Sequence, residues 1–95
     1  MADVLDEYKD VLRKYVYAPG VDVEKQPMYY LVKDAIDSCG IKSIISAVTI
    51  IGDVRGSIYR AIDLGKTTWD EAKKDLLKLD GVIQKLKDRC VCRIR

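Results

Sequence analysis

The chain has 95 residues, of which 48% are hydrophobic and 34% charged, and its formal net charge is +2. This length supplies one hydrophobic core, and the apolar content excludes an intrinsically disordered chain, so we expect a single domain over residues 1–95. The longest apolar run, residues 44–51, is far shorter than the ~20 residues that span a bilayer, and the acidic N-terminus lacks the pattern of a secretion signal. We therefore expect a cytoplasmic protein without membrane insertion.

Three residue types are missing from the chain: Asn, His and Phe. The lack of heat-labile Asn beside many Lys, Ile and Val residues is typical of hyperthermophile proteins and leaves a thermophilic archaeon, or a virus of one, open as the source. The lack of His removes the commonest general base and metal ligand. Because the carboxylates recur at spacings typical of solvated helix faces, we expect a non-enzymatic protein with no cofactor and no metal site.

The first half of the chain predicts two helices. The first runs from about Ala2 to Tyr17, because its apolar residues repeat at steps of three and four, and Pro19 and Gly20 follow its end. Residues 21–26 read as a loop. The second helix begins at Pro27, which suits the first helical position, and Gly40 is predicted to end it in the left-handed conformation.

A third helix is predicted over about residues 41–64. Its first half is apolar nearly all round, which predicts a central, buried helix. Gly52 and Gly56 would each cost a helix interior about 1 kcal/mol, and residues 44–51 are rich in β-branched side chains, so a strand or a helix broken at Gly52 stays open. In a continuous helix the two glycines would lie one turn apart and let another backbone come close.

The fourth helix, over about residues 68–90, carries the strongest pattern in the chain. Thr68 with Glu71 three positions later matches a capping box at its start. Seven residues then follow at alternating steps of three and four, which places them on one stripe: Trp69, Ala72, Leu76, Leu79, Ile83, Leu86 and Cys90. We predict an all-α four-helix array built on a long antiparallel hairpin of helices three and four, and we expect it to be dimeric.

The fourth-helix stripe has two interpretations, a coiled-coil seam for a partner or an internal seam against the third helix. The two are compatible if the hairpin dimerises through a second face, for which we select Leu77 and Val82, off the main stripe, together with Tyr59. The predicted function is a protein-interaction module that forms a homodimer. Its protein partner, beyond a second copy, is unknown from the sequence.

A nucleic-acid-binding protein or regulator is the alternative. Residues 1–40 carry five basic and eight acidic side chains, whereas residues 41–95 carry twelve basic and seven acidic ones. A basic C-terminal region can contact phosphates, although cations at a helix end also complement the helix dipole. The candidate contacts are Arg55, Arg60, Lys85, Lys87, Arg89, Arg93 and Arg95.

The three cysteines and one phosphate-loop-like segment complete the candidates. Cys39, Cys90 and Cys92 are too few and wrongly spaced for a zinc site. Buried thiols are one interpretation; the other is a disulfide from Cys39 to Cys90 or Cys92, and Cys92 could also cross-link two chains. Residues 65–67, Gly-Lys-Thr, resemble the end of a phosphate loop, but Arg60 stands where the loop needs its first glycine.

Overall fold

The computed structural model describes residues 3–91 and places four α-helices in that range. They are α1 (Val4–Tyr15), α2 (Pro27–Ser38), α3 (Ile41–Asp63) and α4 (Trp69–Cys90), and a 3₁₀ turn (Val23–Lys25) precedes α2. The described residues contain no strand. The predicted all-α class is therefore confirmed.

Local chemistry sets the helix ends. Pro27 occupies the first turn of α2, as predicted. The left-handed residue that ends this helix is Cys39, with φ of 56°, and not Gly40, which is extended with φ of −68° and precedes α3. Gly65, with φ of 72°, ends α3, and the backbone N–H of Lys66 donates back to the carbonyl of Ala61. At the start of α4, the Thr68 hydroxyl accepts a hydrogen bond from the backbone N–H of Glu71, as the capping pattern predicts.

The third helix is continuous through both of its glycines. The strand and the break at Gly52 are thereby excluded, because all of Ile41–Asp63 is helical. A Cβ built at Gly52 or at Gly56 would meet no atom within 4 Å. No backbone within the described chain approaches these glycines. They lower the stability of the helix, and no close packing inside the described chain compensates for this loss.

All four helices contribute to one core. α3 packs on α2, α1 and α4, while α4 packs on all three other helices. Among residues 3–91, every buried side-chain nitrogen or oxygen has a hydrogen-bond partner. The largest fully buried side chains are Tyr8, Leu12, Ile51, Ile58 and Leu79.

The core-facing side of α4 differs from the predicted stripe. Trp69 is 53% exposed, whereas Asp75 and Val82, which lie off that stripe, are buried. The reason is that α1 packs against the side of α4 that carries Asp75, which rotates the buried face away from Trp69. The buried residues of α4 are Ala72, Asp75, Leu79, Val82, Leu86 and Cys90.

The prediction that the first half of α3 is buried all round is wrong. Ile41, Ile45 and Val48 are 67%, 62% and 51% exposed. Because α1, α2 and α4 all lie on the side of α3 that carries Ala47 and Ile51, the opposite side has no neighbour in the described chain. The apolar residues on all sides of the first half of α3 therefore form two faces, one in the core and one exposed.

A disulfide between Cys39 and Cys90 joins the ends of α2 and α4, with a Cα–Cα distance of 5.2 Å. This is one of the two pairings left open by the sequence; Cys92 lies outside the described residues. Cys90 is 1% exposed. In the part of the chain from 3 to 91, no helix is long and apolar enough to cross a bilayer.

Candidate interaction surface

The exposed side of α3 forms a continuous surface, which we call the outer face of α3. Its residues recur at steps of four and three, so they share one side of the helix. The half nearest the α3 N-terminus is apolar and the middle is open, because the two exposed glycines leave the backbone uncovered. The outer face of α3 consists of Ile41, Ile45, Val48, Gly52, Gly56 and Tyr59.

Two opposite charges border the apolar half of this face. Lys42 and Asp53 are exposed and lie on the same edge of α3, eleven residues apart. Neither makes an ion pair with another residue in the range 3–91. Over residues 41–53, this edge therefore carries one cation and one carboxylate that make no ion pair in the described chain.

The residues predicted to form a partner surface on α4 do not form a continuous exposed patch. Val82 is fully buried in the core, where it belongs to the stripe that packs on the other helices, so it is not available to a partner. Leu77 is 67% exposed, but its neighbours on the helix surface are exposed lysines, Lys73 and Lys74, and Gly81. Tyr59, the third predicted residue, is exposed at the far end of the outer face of α3.

The predicted nucleic-acid contacts fall in two separate places. Arg60 lies near the turn between α3 and α4, whereas Lys85 and Lys87 lie at the opposite end of α4, more than 20 Å away at about 1.5 Å per residue. Arg93 and Arg95 are outside the described residues. The basic side chains therefore form no single surface within residues 3–91.

Two of these arginines are already engaged inside the chain. The Arg55 guanidinium pairs with the Asp80 carboxylate at 3.0 Å, which links α3 to α4. The Arg89 Nε donates to the carbonyl of Ile36 at 3.0 Å and so caps the last turn of α2. Both contacts are structural, and they leave these two side chains with less capacity for phosphate.

The buried carboxylate of Asp75, on α4, binds two side chains of α1, and this contact was not predicted from the sequence. Asp75 is 3% exposed; its Oδ2 accepts from the Lys14 ammonium at 2.8 Å and from the Tyr15 hydroxyl, and Lys78 lies 3.5 Å from Oδ1. Lys14 also contacts Glu71 at 3.1 Å. Burial raises the pKa of Asp75, but the hydrogen bonds from Lys14 and Tyr15 outweigh it and lower the pKa below its usual value.

The partners of Asp75 respond in the opposite sense. For Lys14, burial lowers the pKa, but the hydrogen bonds to Asp75 and Glu71 raise it by a larger amount. The pKa of Lys14 therefore lies above the usual lysine value. Burial and the bond to Asp75 raise the pKa of Tyr15. The signal that could have found this network is the spacing of Asp75 from Ala72 and Leu79, three and four residues, which is the spacing of a core position.

Metal ligation finds no support in the described part of the chain. Within residues 3–91, no three His, Cys, Asp or Glu side chains lie close enough together to hold a metal ion.

Comparisons of the chain with protein-family models, with curated proteins and with solved structures found no match.

Proposed function

We propose that this protein is a helical interaction module that forms a homodimer through the outer face of α3. The observation that carries the proposal is the exposure of Ile41, Ile45 and Val48 beside two glycines without neighbours. Exposing a row of large apolar side chains costs free energy unless another surface covers them, and open glycines let a second helix approach closely. The proposal includes no catalytic step and moves the interface from α4 to α3.

Charge complementarity supports a second copy of the chain as the occupant. In an antiparallel pair of α3 helices with its twofold axis between residues 46 and 47, Ile45 lies opposite the partner's Val48, and Ile41 lies over the partner's Gly52. The same arrangement places Lys42 and the partner's Asp53 on one edge of the contact, with a stagger along the helix axis of about two residues' rise, ~3 Å, and the twofold axis repeats the pair. Each of the unpartnered charges thereby gains an opposite charge.

Charge disfavours the alternative register that would include Tyr59. Centring the pair on Ile50 would place Tyr59 against the partner's Ile41, but it would bring Lys42 close to the partner's Arg60. That like-charge contact is unfavourable, so the proposed register leaves Tyr59 outside the contact. The helices overlap over residues 41–52, about 18 Å, and a contact this short predicts a dissociation constant in the micromolar range rather than the nanomolar range.

Sedimentation equilibrium on a matched pair of variants tests the proposal. All proteins carry Cys92→Ser, which excludes dimers cross-linked through that thiol. Ile45→Glu places a charge in the centre of the outer face of α3, so the dissociation constant should rise at least about tenfold. Leu77→Glu is the control, because Leu77 is equally exposed but lies on α4.

The outcomes separate the two faces. A parent protein that dimerises, is weakened by Ile45→Glu and is unchanged by Leu77→Glu supports the outer face of α3. A parent that stays monomeric up to about 500 µM, or a dimer that only Leu77→Glu weakens, contradicts it.

No observation in residues 3–91 favours the nucleic-acid function, which stays a prediction from the sequence.

A further inference from the structure

A cleft of about 210 Å³ lies where the end of α1, the end of α3 and the turn before α4 meet. It is separate from the contact proposed above, because its α3 residues lie beyond position 52. Three cationic side chains from three segments line it: Lys14 from α1, Arg60 from α3 and Lys66 from the turn. Convergence of cations from distant parts of the sequence is unusual, since like charges repel unless an anion or a carboxylate lies between them.

The charge of this cleft is only partly balanced within the described chain. Lys14 is held by Asp75 at 2.8 Å and by Glu71 at 3.1 Å. Arg60 and Lys66 make no ion pair with any residue in the range 3–91. Arg60 and Lys66 therefore line the cleft without a carboxylate partner in this range, whereas Lys14 is held by Asp75 and Glu71.

Thr67, Tyr15 and Ser57 also line the cleft, but two of their hydroxyl groups already donate within the chain: Tyr15 to Asp75, and Ser57 to the carbonyl of Asp53 at 3.3 Å. A hydroxyl has one proton to donate, so the donors that these two side chains could offer an anion are already used. The hydrogen bonds to an anion would therefore come from the cationic side chains. Gly65, in the left-handed conformation, makes the tight turn that places Lys66 and Thr67 at the cleft.

We propose that this cleft binds a small tetrahedral oxyanion, either inorganic phosphate or the terminal phosphate of a small phosphomonoester. The cationic side chains decide the charge of the ligand, and the volume limits its size, since about 210 Å³ is below the ~300 Å³ at which clefts for larger organic ligands begin. Arg60 supplies the bidentate fork, Lys66 supplies a second charge from the turn, and Lys14 supplies a positioned charge that its carboxylate partners hold in place. The resemblance of residues 65–67 to a phosphate loop has no part in this, because residues 3–64 contain no strand and α3 directly precedes the turn.

The test is a titration of the ¹⁵N-labelled protein with sodium phosphate, followed by amide chemical shifts, with sodium chloride at matched ionic strength as the reference. We expect saturable shifts at Lys66, Thr67 and Arg60 with a dissociation constant on the order of 1 mM. The double variant Arg60→Gln/Lys66→Gln should raise that constant at least about tenfold. The variant Arg60→Lys/Lys66→Arg keeps both charges and should stay within about threefold of the parent.

A charge-matched control separates a site from general attraction. Lys85→Gln/Lys87→Gln removes the same two charges at the other end of α4 and should leave the dissociation constant unchanged. Equal weakening by both double variants, unsaturable shifts, or the same shifts with chloride would each overturn the proposal. Glucose 6-phosphate and glucose, used as a second pair of probes, distinguish a phosphomonoester from the free ion, because binding of the ester alone assigns the ester. The phosphate titration can be repeated with Ile45→Glu, which should weaken the proposed dimer and lies outside the cleft, so failure of one proposal can be distinguished from failure of the other.

Discussion

The two long helices, α3 and α4, are nearly equal in length, at 23 and 22 residues, but they differ in where their unusual residues make contacts. On α4, the buried Asp75, the bonded Cys90 and the capping Arg89 all contact other helices of the same chain. On α3, Ile45 is 62% exposed and a Cβ built at Gly52 would meet no atom within 4 Å, so both lie on a side that the described chain leaves uncovered. The helix with the stronger sequence pattern is the one whose interactions are satisfied internally.

This difference separates stability from association. Substitutions at the internal contacts of α4 should lower the free energy of unfolding and leave dimerisation unchanged in the folded protein. Substitutions of the exposed side chains on the outer face of α3, its two glycines excepted, should change dimerisation and have little effect on unfolding of the monomer. Exposed side chains away from special contacts usually change stability by no more than about 0.5 kcal/mol.

The largest expected effect on stability comes from the disulfide. Cys39 and Cys90 are 51 residues apart in sequence, and closing a loop of this length in the unfolded chain is worth about 4 kcal/mol in the chain-entropy model. The variant Cys39→Ser/Cys90→Ser, in the Cys92→Ser background, should lose about that much in urea-induced unfolding at pH 7. A loss below about 1 kcal/mol would show that the link contributes little to the fold.

The second effect comes from the carboxylate between α1 and α4. We expect Asp75→Asn to lower the free energy of unfolding by about 2 kcal/mol, less than a fully buried pair would lose, because Lys14 retains access to solvent. Asp80→Asn is the matched control, since that carboxylate pairs with Arg55 at the surface and should cost less than about 0.5 kcal/mol. Equal losses for the two variants in urea unfolding would contradict the special role of Asp75.

The pH dependence of the Asp75 effect has a defined sign. Because the folded-state pKa of Asp75 lies below its usual value of about 3.9, its stabilisation is fully present above that value and is lost as the pH falls through the folded-state pKa. The difference in unfolding free energy between the parent and Asp75→Asn should therefore be constant from about pH 6 to 8 and shrink below about pH 4. A difference that grows on acidification would contradict this assignment.

The smallest effect compares a glycine on each helix. Gly52→Ala and Gly81→Ala should each stabilise the monomer by about 1 kcal/mol, because both sites are helical and a Cβ at either meets no atom within 4 Å. Only Gly52→Ala should weaken the dimer, by about threefold, since its methyl group would lie beneath the partner's Ile41. The thermal midpoint and the dissociation constant, measured on both variants, separate the two contributions.

The sequence was sufficient for the helix class and for most boundaries, because Pro27, Gly65 and the Thr68 cap act locally. It was insufficient for the direction in which each helix faces. The heptad of α4 predicted that Trp69 would be inside and Val82 outside, whereas packing against α1 reverses both. The exposed apolar side of α3 looks the same in sequence as a buried one, and only the positions of the other helices distinguish them.

Charge reversal at the proposed contact tests the central claim most directly, since only a contact between two copies of α3 joins Lys42 to the partner's Asp53. Sedimentation equilibrium in the Cys92→Ser background should show that Lys42→Glu and Asp53→Lys each weaken the dimer at least about fivefold, by placing like charges together on both sides of the axis. The double variant Lys42→Glu/Asp53→Lys should restore the dissociation constant to within about twofold of the parent. A double variant as weak as the two single effects combined would contradict the antiparallel α3 dimer.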